Sequence, residues 1–529
     1  MKARKPLSLL LAATLLAAVF CGCGNSTTTS TGSAADTGTA DSTDGASEQT
    51  ETVLTGEPTY GGEIVVGIAQ DLDDSLDPHS MTAAGTREVL FNVFEGLVKP
   101  DTDGNFIPAV ASSYVIAETG DTFTFTLREG VKFHDGSTVT VGDIVYSISR
   151  AAGLDTGEPL ISALSVIDSV TAADDSTVVI TTSEPYIELL AYLTAAIIPE
   201  GSDPAEDMIG TGPFVFVSRV AQDSIVLEKF DDYWGEGAYL DKVMYKIMED
   251  STSLIMSLQS SAIDLCAHLT ASQAAELNGF TIYEGTMNLV QALYLNNASG
   301  PLADVRVRQA ICYAIDSQEI MDFVSDGMGV AIGTAMIAAF GKYTVDGLEN
   351  TYAADTEKAK ELLTEAGYPD GFELEITVPS NYQFHIDTAE VMVEQLSRVG
   401  INATIKLVEW ATWLSDVYAD RNYEATVVGF DASAMTASAL LARYVSTSSK
   451  NAFNFSSEAY DAAYAAAEAA TDEAEQTELY KECETILAEE AASAYVQDPC
   501  DLVAMNSELA GYEFYPLYAM DMSKVYYVG

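Results

Sequence analysis

Alternating apolar and polar positions predict a β-α-β unit in the second half of the chain. Residues 372–378 read FELEITV, with apolar side chains at every second position, and residues 401–408 alternate in the same way. Between these runs, apolar residues recur at helical spacing up to Gly400. Strand, helix and strand in this order predict a largely parallel sheet covered by helices. A further strand is expected at 425–430, after a short helix that begins at Trp410.

The first half of the chain predicts more strands. A buried strand is expected at 64–68, and apolar residues alternate across 123–127. Two apolar runs at 214–217 and 225–227 predict a hairpin, which the glycines and the proline of residues 210–213 introduce.

Helical spacing and capping residues predict the principal helices. An apolar helix is expected from Val89, and another begins near Val141. Asp355 is a suitable N-cap for a third helix. The Ala- and Glu-rich residues 459–492 predict a long helical region, after which residues 495–499 should cross back toward the first half of the fold.

The N-terminus has the layout of an export signal. Residues 1–23 combine a basic start, an apolar run too short for a comfortable membrane span, and small residues before a cysteine. The ending resembles a lipobox, which implies that Cys23 is lipidated and becomes the mature N-terminus. A signal peptide cut nearby without a lipid is the alternative. Residues 24–58 are rich in Ser, Thr, Gly and Asp, which predicts a disordered tether.

The charge balance narrows the range of partners. The 529 residues include 24 Lys and Arg against 80 Asp and Glu, a formal net charge of −56. Because phosphate contacts need Lys and Arg, this excess of acid argues against nucleic acid or anionic lipid as a partner of the folded part. We interpret the acidic residues as a solvated surface that keeps the protein soluble.

No catalytic, metal-binding or cofactor-binding pattern stands out. The four histidines lack metal-ligand spacing, and the sequence has no HExxH, CxxC, GxSxG or phosphate-binding glycine motif. We therefore predict no catalytic residues, no metal and no cofactor. Four cysteines follow the signal, namely Cys266, Cys312, Cys483 and Cys500. The sequence allows two alternatives for them: Cys483 and Cys500 form a disulfide, or the cysteines are buried free thiols.

Several motifs resemble one family of binding proteins. They are GTGP at 210–213, YWG at 233–235, VKFHDG at 131–136 with DIVYS shortly after, and VRVRQAICYAID at 305–316. Together they resemble the family-5 extracellular solute-binding proteins, the oligopeptide and dipeptide-binding type that serves ABC importers. The resemblance covers nearly all of residues 60–529.

The resemblance implies an α/β fold of the periplasmic-binding-protein-like class II, with two lobes and an interlobe ligand cleft. The first lobe is expected at 59–292 and 499–529, with a subdomain inserted at about 90–200, and the second lobe at 293–498. In such a fold His134 and Asp135 belong to a structural turn. Arg306 and Arg308 are expected in a surface ion pair on a helix rather than at the ligand.

Position in the predicted sheet selects candidate ligand-binding residues. Ligands of open α/β sheets bind beyond the carboxyl ends of the strands, and interdomain clefts are common small-molecule sites. Three strand ends and the return crossing supply the candidates, which are Asn381, Tyr382, Trp410, Asp431, Ser433, Tyr495 and Gln497.

The resemblance adds roles to some of them. It implies that Trp410 and Phe430 are aromatic residues of the cleft. The family's aspartate, which holds a peptide's amino terminus, falls at Ser433, and Asp431 lies two residues earlier. Trp410 as a core aromatic and Asp431 as a turn or cap residue are equally good interpretations.

The predicted function is solute capture outside the cell. We expect an exported, lipid-anchored protein that binds oligopeptides or dipeptides and delivers them to the permease and ATPase subunits of an ABC importer. A non-peptide solute, such as a nickel complex, an opine or a sugar, is the first alternative. An exported enzyme or an adhesion protein is the second.

Overall fold

The computed structural model describes residues 57–72, 75–81, 83–248, 251–432 and 435–529. The predicted signal peptide and Cys23, the tether up to residue 56, and Ser433 therefore lie outside the described residues. The strands are β1 (Pro58–Thr59), β2 (Glu63–Ile68), β3 (Val98–Pro100), β4 (Phe106–Pro108), β5 (Ala111–Ile116), β6 (Thr122–Leu127), β7 (Ile167–Asp174), β8 (Thr177–Thr182), β9 (Phe214–Val220), β10 (Ser224–Lys229), β11 (Lys242–Ile247), β12 (Leu265–Leu269), β13 (Phe280–Thr286), β14 (Leu289–Leu295), β15 (Val330–Ala331), β16 (Glu373–Pro379), β17 (Asn402–Val408), β18 (Ala425–Asp431), β19 (Ser493–Asp498), β20 (Cys500–Asn506), β21 (Leu509–Ala510) and β22 (Tyr526–Val528).

The α-helices surround these strands. They are α1 (Ala84–Leu90), α2 (Val141–Ala152), α3 (Leu189–Tyr192), α4 (Pro204–Asp207), α5 (Ser251–Gln259), α6 (Ala271–Ala275), α7 (Val305–Ala314), α8 (Ser317–Ser325), α9 (Thr356–Glu365), α10 (Gln383–Ser397), α11 (Trp410–Thr412), α12 (Ala437–Leu441), α13 (Glu458–Ala469) and α14 (Glu473–Glu489). A π-helical turn, Trp413–Ala419, follows α11 directly. Within the described ranges, no helix combines the length and hydropathy needed to cross a membrane.

Two sheets organise two lobes. The first lobe contains a seven-stranded sheet in the order β13-β20-β12-β2-β11-β10-β9, in which β2 runs parallel to β11 and β12. The second lobe contains a six-stranded sheet in the order β15-β19-β14-β18-β16-β17. In it, β16 is parallel to β17 and β18, and α10 connects β16 to β17, so the predicted β-α-β unit is confirmed.

A four-stranded antiparallel sheet, β5-β6-β8-β7, forms a separate layer within the first lobe. Phe123 and Phe125 alternate inward from β6, as the sequence predicts, and pack with Ile144 and Ile148 of α2. Thr140 and Asp143 form a reciprocal capping box at the start of this helix. This layer has its own apolar core, in the region expected for the inserted subdomain.

The chain passes twice between the two lobes, at residues 287–288 and at Pro499. The predicted boundary after residue 292 falls inside β14, which pairs with β18 from Leu289 to Leu295. A lobe boundary near residue 288 therefore fits the strand pairing better than one at residue 292. The predicted boundary at residue 499 agrees with the strand pairing. As domain limits, these positions stay a proposal.

Two predicted helices differ from the structure. The helix expected from Val89 ends at Leu90, because the carbonyls of Asn92 and Val93 accept hydrogen bonds from Phe214 and Gly212 instead of from the next helical turn. The long helical region is two helices, α13 and α14, and the Asp472 side chain caps the second.

The two arginines of α7 have different partners. Arg306 pairs with Asp304 at 2.6 Å, so the predicted ion pair is confirmed for this residue. The prediction is wrong for Arg308, which is buried and donates to the carbonyls of Leu302, Glu490 and Ala491.

The four described cysteines, Cys266, Cys312, Cys483 and Cys500, are free thiols here.

A close backbone contact joins residues 92–96 to residues 210–214. The amides of Gly212 and Phe214 donate to the carbonyls of Val93 and Asn92 at 2.9 and 3.0 Å. A Cβ atom on Gly210 would lie 2.0 Å from the Val93 oxygen, so only glycine permits this approach. His134 completes the contact, because its Nδ1 accepts from the Gly210 amide and its Nε2 bonds to the Gly212 carbonyl.

The Gly210→Ala variant should destabilise the fold. The added methyl group meets backbone rather than a side chain that can rotate, so we expect a loss of about 2–3 kcal/mol in the free energy of unfolding. Gly85→Ala is the control, because Gly85 lies in α1 with open space around it and should gain roughly 0.5–1 kcal/mol. Denaturant unfolding measures both, and equal stability of the two variants would contradict the argument.

Candidate ligand-binding site

A cavity of about 830 Å³ lies against the first lobe. Its walls come from segments that are far apart in the sequence, within residues 78–107, 160–162, 191–196, 233–237 and 513–524. Met435 of the second lobe also lines it. We call this space the main cavity. Its size is typical of small-molecule binding sites.

One wall of the main cavity is a network centred on Glu95. Tyr233 Oη and Trp234 Nε1 each donate to the Glu95 carboxylate at 2.7 Å, and Lys99 Nζ lies 3.3 Å from it. The Arg128 guanidinium lies 4.1 Å from the centre of the Trp234 ring. Burial and the adjacent Glu95 charge raise the pKa of Tyr233 above its usual range. The tyrosine therefore stays a hydrogen-bond donor, and Glu95 holds both aromatic side chains through hydrogen bonds.

The C-terminal segment forms another part of the cavity lining. Tyr515 Oη donates to Asp521 at 2.9 Å, and the Asp521 carboxylate also accepts bonds from the amide and hydroxyl of Ser523. Asn92 holds this segment in place, since its side chain donates to the Met520 carbonyl and accepts from the Met522 amide, both at 2.8 Å. The aromatic rim is thus tied to the same residues that make the backbone contact.

A second, small cavity of about 30 Å³ adjoins the first. Arg87, Leu517 and Tyr518 line both cavities, and Asp431 with Asn288 closes the small one from the side of the second lobe. This small cavity is the point where a predicted site residue, Asp431, meets the first lobe. The Asp431 carboxylate accepts no hydrogen bond from any residue in the described ranges.

Three of the predicted aromatic residues form a connected surface on the second lobe. Trp410 stacks on buried Trp413 at 4.9 Å between ring centres, and Tyr382 meets Trp410 edge-on at 5.4 Å. Phe430 packs on Tyr294 at 5.0 Å and borders the same core cluster. None of the three lines either cavity.

The remaining predicted residues are placed differently. Asn381 is exposed at the end of β16. Tyr495 and Gln497 are buried, and Gln497 Nε2 donates to Gln291 Oε1 at 2.8 Å within a polar network inside the second lobe. His385 and Thr388 complete this network through the Gln291 amide. Ligand contact by Tyr495 and Gln497 stays a prediction. The burial of both side chains does not favour it.

Several residues of the cavities were not selected from the sequence. Tyr233 and Trp234 stand out only as part of a family motif, and Glu95 and Tyr515 lie in no distinguishing pattern. No pattern selects Arg87 either, although a cation in so acidic a chain is a usable signal.

The sequence model of the "Bacterial extracellular solute-binding proteins, family 5 Middle" matches residues 105–452, about two thirds of the chain. The chain belongs to this family. The predicted recognition, a family-5 solute-binding protein of an ABC importer, is confirmed, and so is the two-lobed α/β fold class.

Three relatives illustrate the similarity. The glutathione-binding protein GsiB of Pectobacterium atrosepticum is 26% identical over 485 residues, covering 88% of this chain and 94% of GsiB. The dipeptide-binding protein of Escherichia coli is 26% identical over 457 residues, covering 78% and 84%. The structure of AgaA of A. tumefaciens R10 in complex with agropinic acid is 27% identical, covers 88% of this chain and 99% of AgaA, and superposes with a TM-score of 0.69.

A buried carboxylate joins the first lobe to the second near the main cavity. Glu188 precedes α3, and its side chain is bonded to the hydroxyl of Ser438 in α12. Its other oxygen, Oε1, is buried without a partner in the described part of the chain. Burial raises the pKa of Glu188 to about 7, and the nearby Glu468 charge adds to the shift.

Glu188 should make stability depend on pH. Because its pKa in the folded protein lies above the ordinary value of 4.5, its stabilising contribution is complete below about pH 4.5 and is lost as pH rises to about 7. Glu188→Gln should therefore raise the free energy of unfolding at pH 8 by roughly 2–3 kcal/mol and change it little at pH 4.5.

Thermal unfolding between pH 4.5 and 8 tests this prediction. Glu184→Gln is the matched control, since Glu184 is exposed and close in sequence, and it should leave the pH profile unchanged. Parallel profiles for Glu188→Gln and the parent chain would count against a protonated Glu188.

Proposed function

We propose that this protein captures short peptides outside the cell by closing its two lobes around the main cavity, and that it delivers them to the permease of an ABC importer. The main cavity carries the proposal, because it combines a suitable volume with aromatic walls and charged groups at its junction with the second lobe. Glutathione and dipeptide-binding relatives support a peptide ligand. Ligand binding would shift an equilibrium between open and closed forms.

Asp431 is the site residue that the geometry supports best. Its carboxylate has no hydrogen-bond partner among the described residues and faces a small cavity next to the main one, which suits a ligand's ammonium group. Tyr382, Trp410 and Phe430 offer an aromatic surface on the same lobe. Roles for Asn381, Ser433, Tyr495 and Gln497 stay predictions.

A non-peptide solute is the second candidate. The AgaA structure holds agropinic acid, which is not a peptide, in the same fold at 27% identity. The family's aspartate position is Ser433 in this chain, and this departure also favours the second candidate. The proposal assigns the protein no catalytic step.

We also propose that the protein is exported and held at the membrane by a lipid. The family is one of extracellular solute-binding proteins, and residues 1–23 have the pattern of a lipoprotein signal. Residues 24–58 would then serve as a tether of roughly 30–35 Å root-mean-square reach between the lipid and the binding lobes.

Native mass spectrometry tests the peptide proposal most simply. The chain lacking residues 1–23 is purified without added ligand, weighed intact, and then denatured so that any bound solute is released. We expect a series of short-peptide masses. A single non-peptide mass, or a metal, would replace the peptide proposal with the second candidate.

Replacing Cys23 tests the lipid anchor. Cys23→Ala should abolish lipid modification and release the protein from the membrane fraction, because no other cysteine in the sequence follows a small residue at the end of the apolar run. Cys21→Ala is the control and should leave both unchanged. A Cys23→Ala protein that is still lipid-modified and membrane-bound would rule out this attachment site.

A further inference from the structure

The Glu188 side chain extends from the first lobe into a contact with the second. Glu188 precedes α3, and its Oε2 accepts a hydrogen bond from the hydroxyl of Ser438 in α12. The residue is 7% exposed, and its Oε1 has no hydrogen-bond partner in the described ranges. Tyr192 of α3 and Met435, three residues before Ser438, line the main cavity. The contact therefore lies beside the space that the two lobes enclose.

A second carboxylate, Glu468 of α13, lies on the other side of this contact. Tyr480 Oη donates to Glu468 Oε1 at 3.2 Å. Burial raises the pKa of Glu188, and the Glu468 charge raises it further. Burial also raises the pKa of Glu468. Two acids from opposite lobes thus share one buried interface, which is unfavourable while both are ionised.

Among the described residues, no Lys or Arg forms an ion pair or a hydrogen bond with either acid. Lys342 is paired with Glu473 at 2.9 Å, and the charges of Lys450 and Glu184 change the pKa of Glu468 in opposite directions. The other titratable side chains around Glu188 are tyrosines, namely Tyr186, Tyr192, Tyr343, Tyr464 and Tyr480. Burial raises the pKa of each tyrosine, so all five stay neutral. A proton therefore removes a repulsion that no cation compensates.

Separation of the lobes would change the surroundings of Glu188 completely. Ser438, Glu468 and Tyr480 all belong to the second lobe, so opening withdraws them together and exposes the carboxyl group to water. An exposed glutamate is ionised at neutral pH. Since the closed and open forms then bind different numbers of protons, pH shifts the equilibrium between them.

We propose that Glu188 is a proton-dependent latch between the lobes: closure over the main cavity takes up one proton from the solvent onto the Glu188 carboxyl group, and opening returns that proton to the solvent. This inference rests on the lobe closure of the proposed function but not on the identity of the solute. The protonated group keeps its hydrogen bond with Ser438 and carries no charge against Glu468. Acidic medium thus favours the closed form, and alkaline medium favours opening and release.

The pKa of Glu188 sets the pH range over which the latch acts. It is about 7 in the closed form and returns toward the ordinary 4.5 when the side chain is exposed. The closed form is therefore favoured most below about pH 4.5, and the preference falls as pH rises to about 7. Across this range the ratio of closed to open protein should fall by about tenfold or more.

The rival explanation is a permanent contact between the first and the second lobe at Glu188. In that case pH would change the stability of the whole fold, as predicted above for Glu188→Gln, and would leave the distance between the lobes unchanged. A measurement of that distance separates the two explanations.

The test uses the full chain, purified in detergent and freed of its own solute by unfolding and refolding. Fluorophores are attached through azido amino acids at two exposed positions, Asp175 between β7 and β8 and Glu361 in α9. Single-molecule energy transfer then reports the closed fraction between about pH 4.5 and 8. The parent chain is compared with Glu188→Gln and Glu468→Gln. Glu129→Gln is the matched control, because Glu129 is an exposed carboxylate of the same lobe as Glu188.

The closed fraction of the parent chain should fall as pH rises toward 7 and above. Glu188→Gln should stay closed to the same extent at every pH, because its amide does not ionise in this range. Glu468→Gln should lie between these two, since it removes one of the two charges. Glu129→Gln should follow the parent.

Two results would overturn the inference, and they differ in what they leave standing. If the parent and Glu188→Gln open with the same pH dependence, Glu188 is not the latch, although lobe closure stands. If every chain shows one interlobe distance at every pH, the lobes do not separate, and the latch fails together with the closure step of the proposed function. Equal unfolding temperatures at pH 4.5 show that the differences do not come from misfolding. Should Glu188→Gln not fold, a Glu468→Gln profile equal to that of the parent overturns the latch by itself.

Discussion

The backbone contact between residues 92–96 and 210–214 is the constraint on which the first lobe depends. Its amide-to-carbonyl hydrogen bonds end α1. The glycines at 210 and 212 let these two segments of the backbone approach more closely than any other residue type permits. His134 fixes the contact from one side, and the Glu95 network with Tyr233 and Trp234 extends it into the main-cavity wall. The C-terminal rim joins the same contact through Asn92. A single packing requirement thus supports the walls of the main cavity.

The positions of the few Lys and Arg residues distinguish the cavity region from the rest of the fold. With a net charge of −56, the protein places its few cations where they have a definite partner, and most of those described are paired with carboxylates or carbonyls. Arg87 and Asp431 depart from this pattern together, at one junction and from opposite lobes.

Local patterns in the sequence predict the strands and helices, but they do not predict which residues line the main cavity. The strands at 372–378 and 401–408 and the hairpin at 214–227 are local patterns, and the structure confirms them. The main cavity is not local, since Asn92 bonds to residues more than four hundred positions away and the walls come from five segments. The position at a strand end selects Asp431, which lines the small cavity, and the same rule selects Gln497, whose amide belongs to a buried network. Nothing in the order of residues distinguishes an amide that faces a ligand from one that pairs with Gln291.

The most direct test of this account is a crystal structure of the protein with the solute that it retains on purification. The account predicts that the solute occupies the main cavity beside Tyr233 and Trp234. A solute bound instead on the Tyr382 and Trp410 surface, with the main cavity empty, would contradict it.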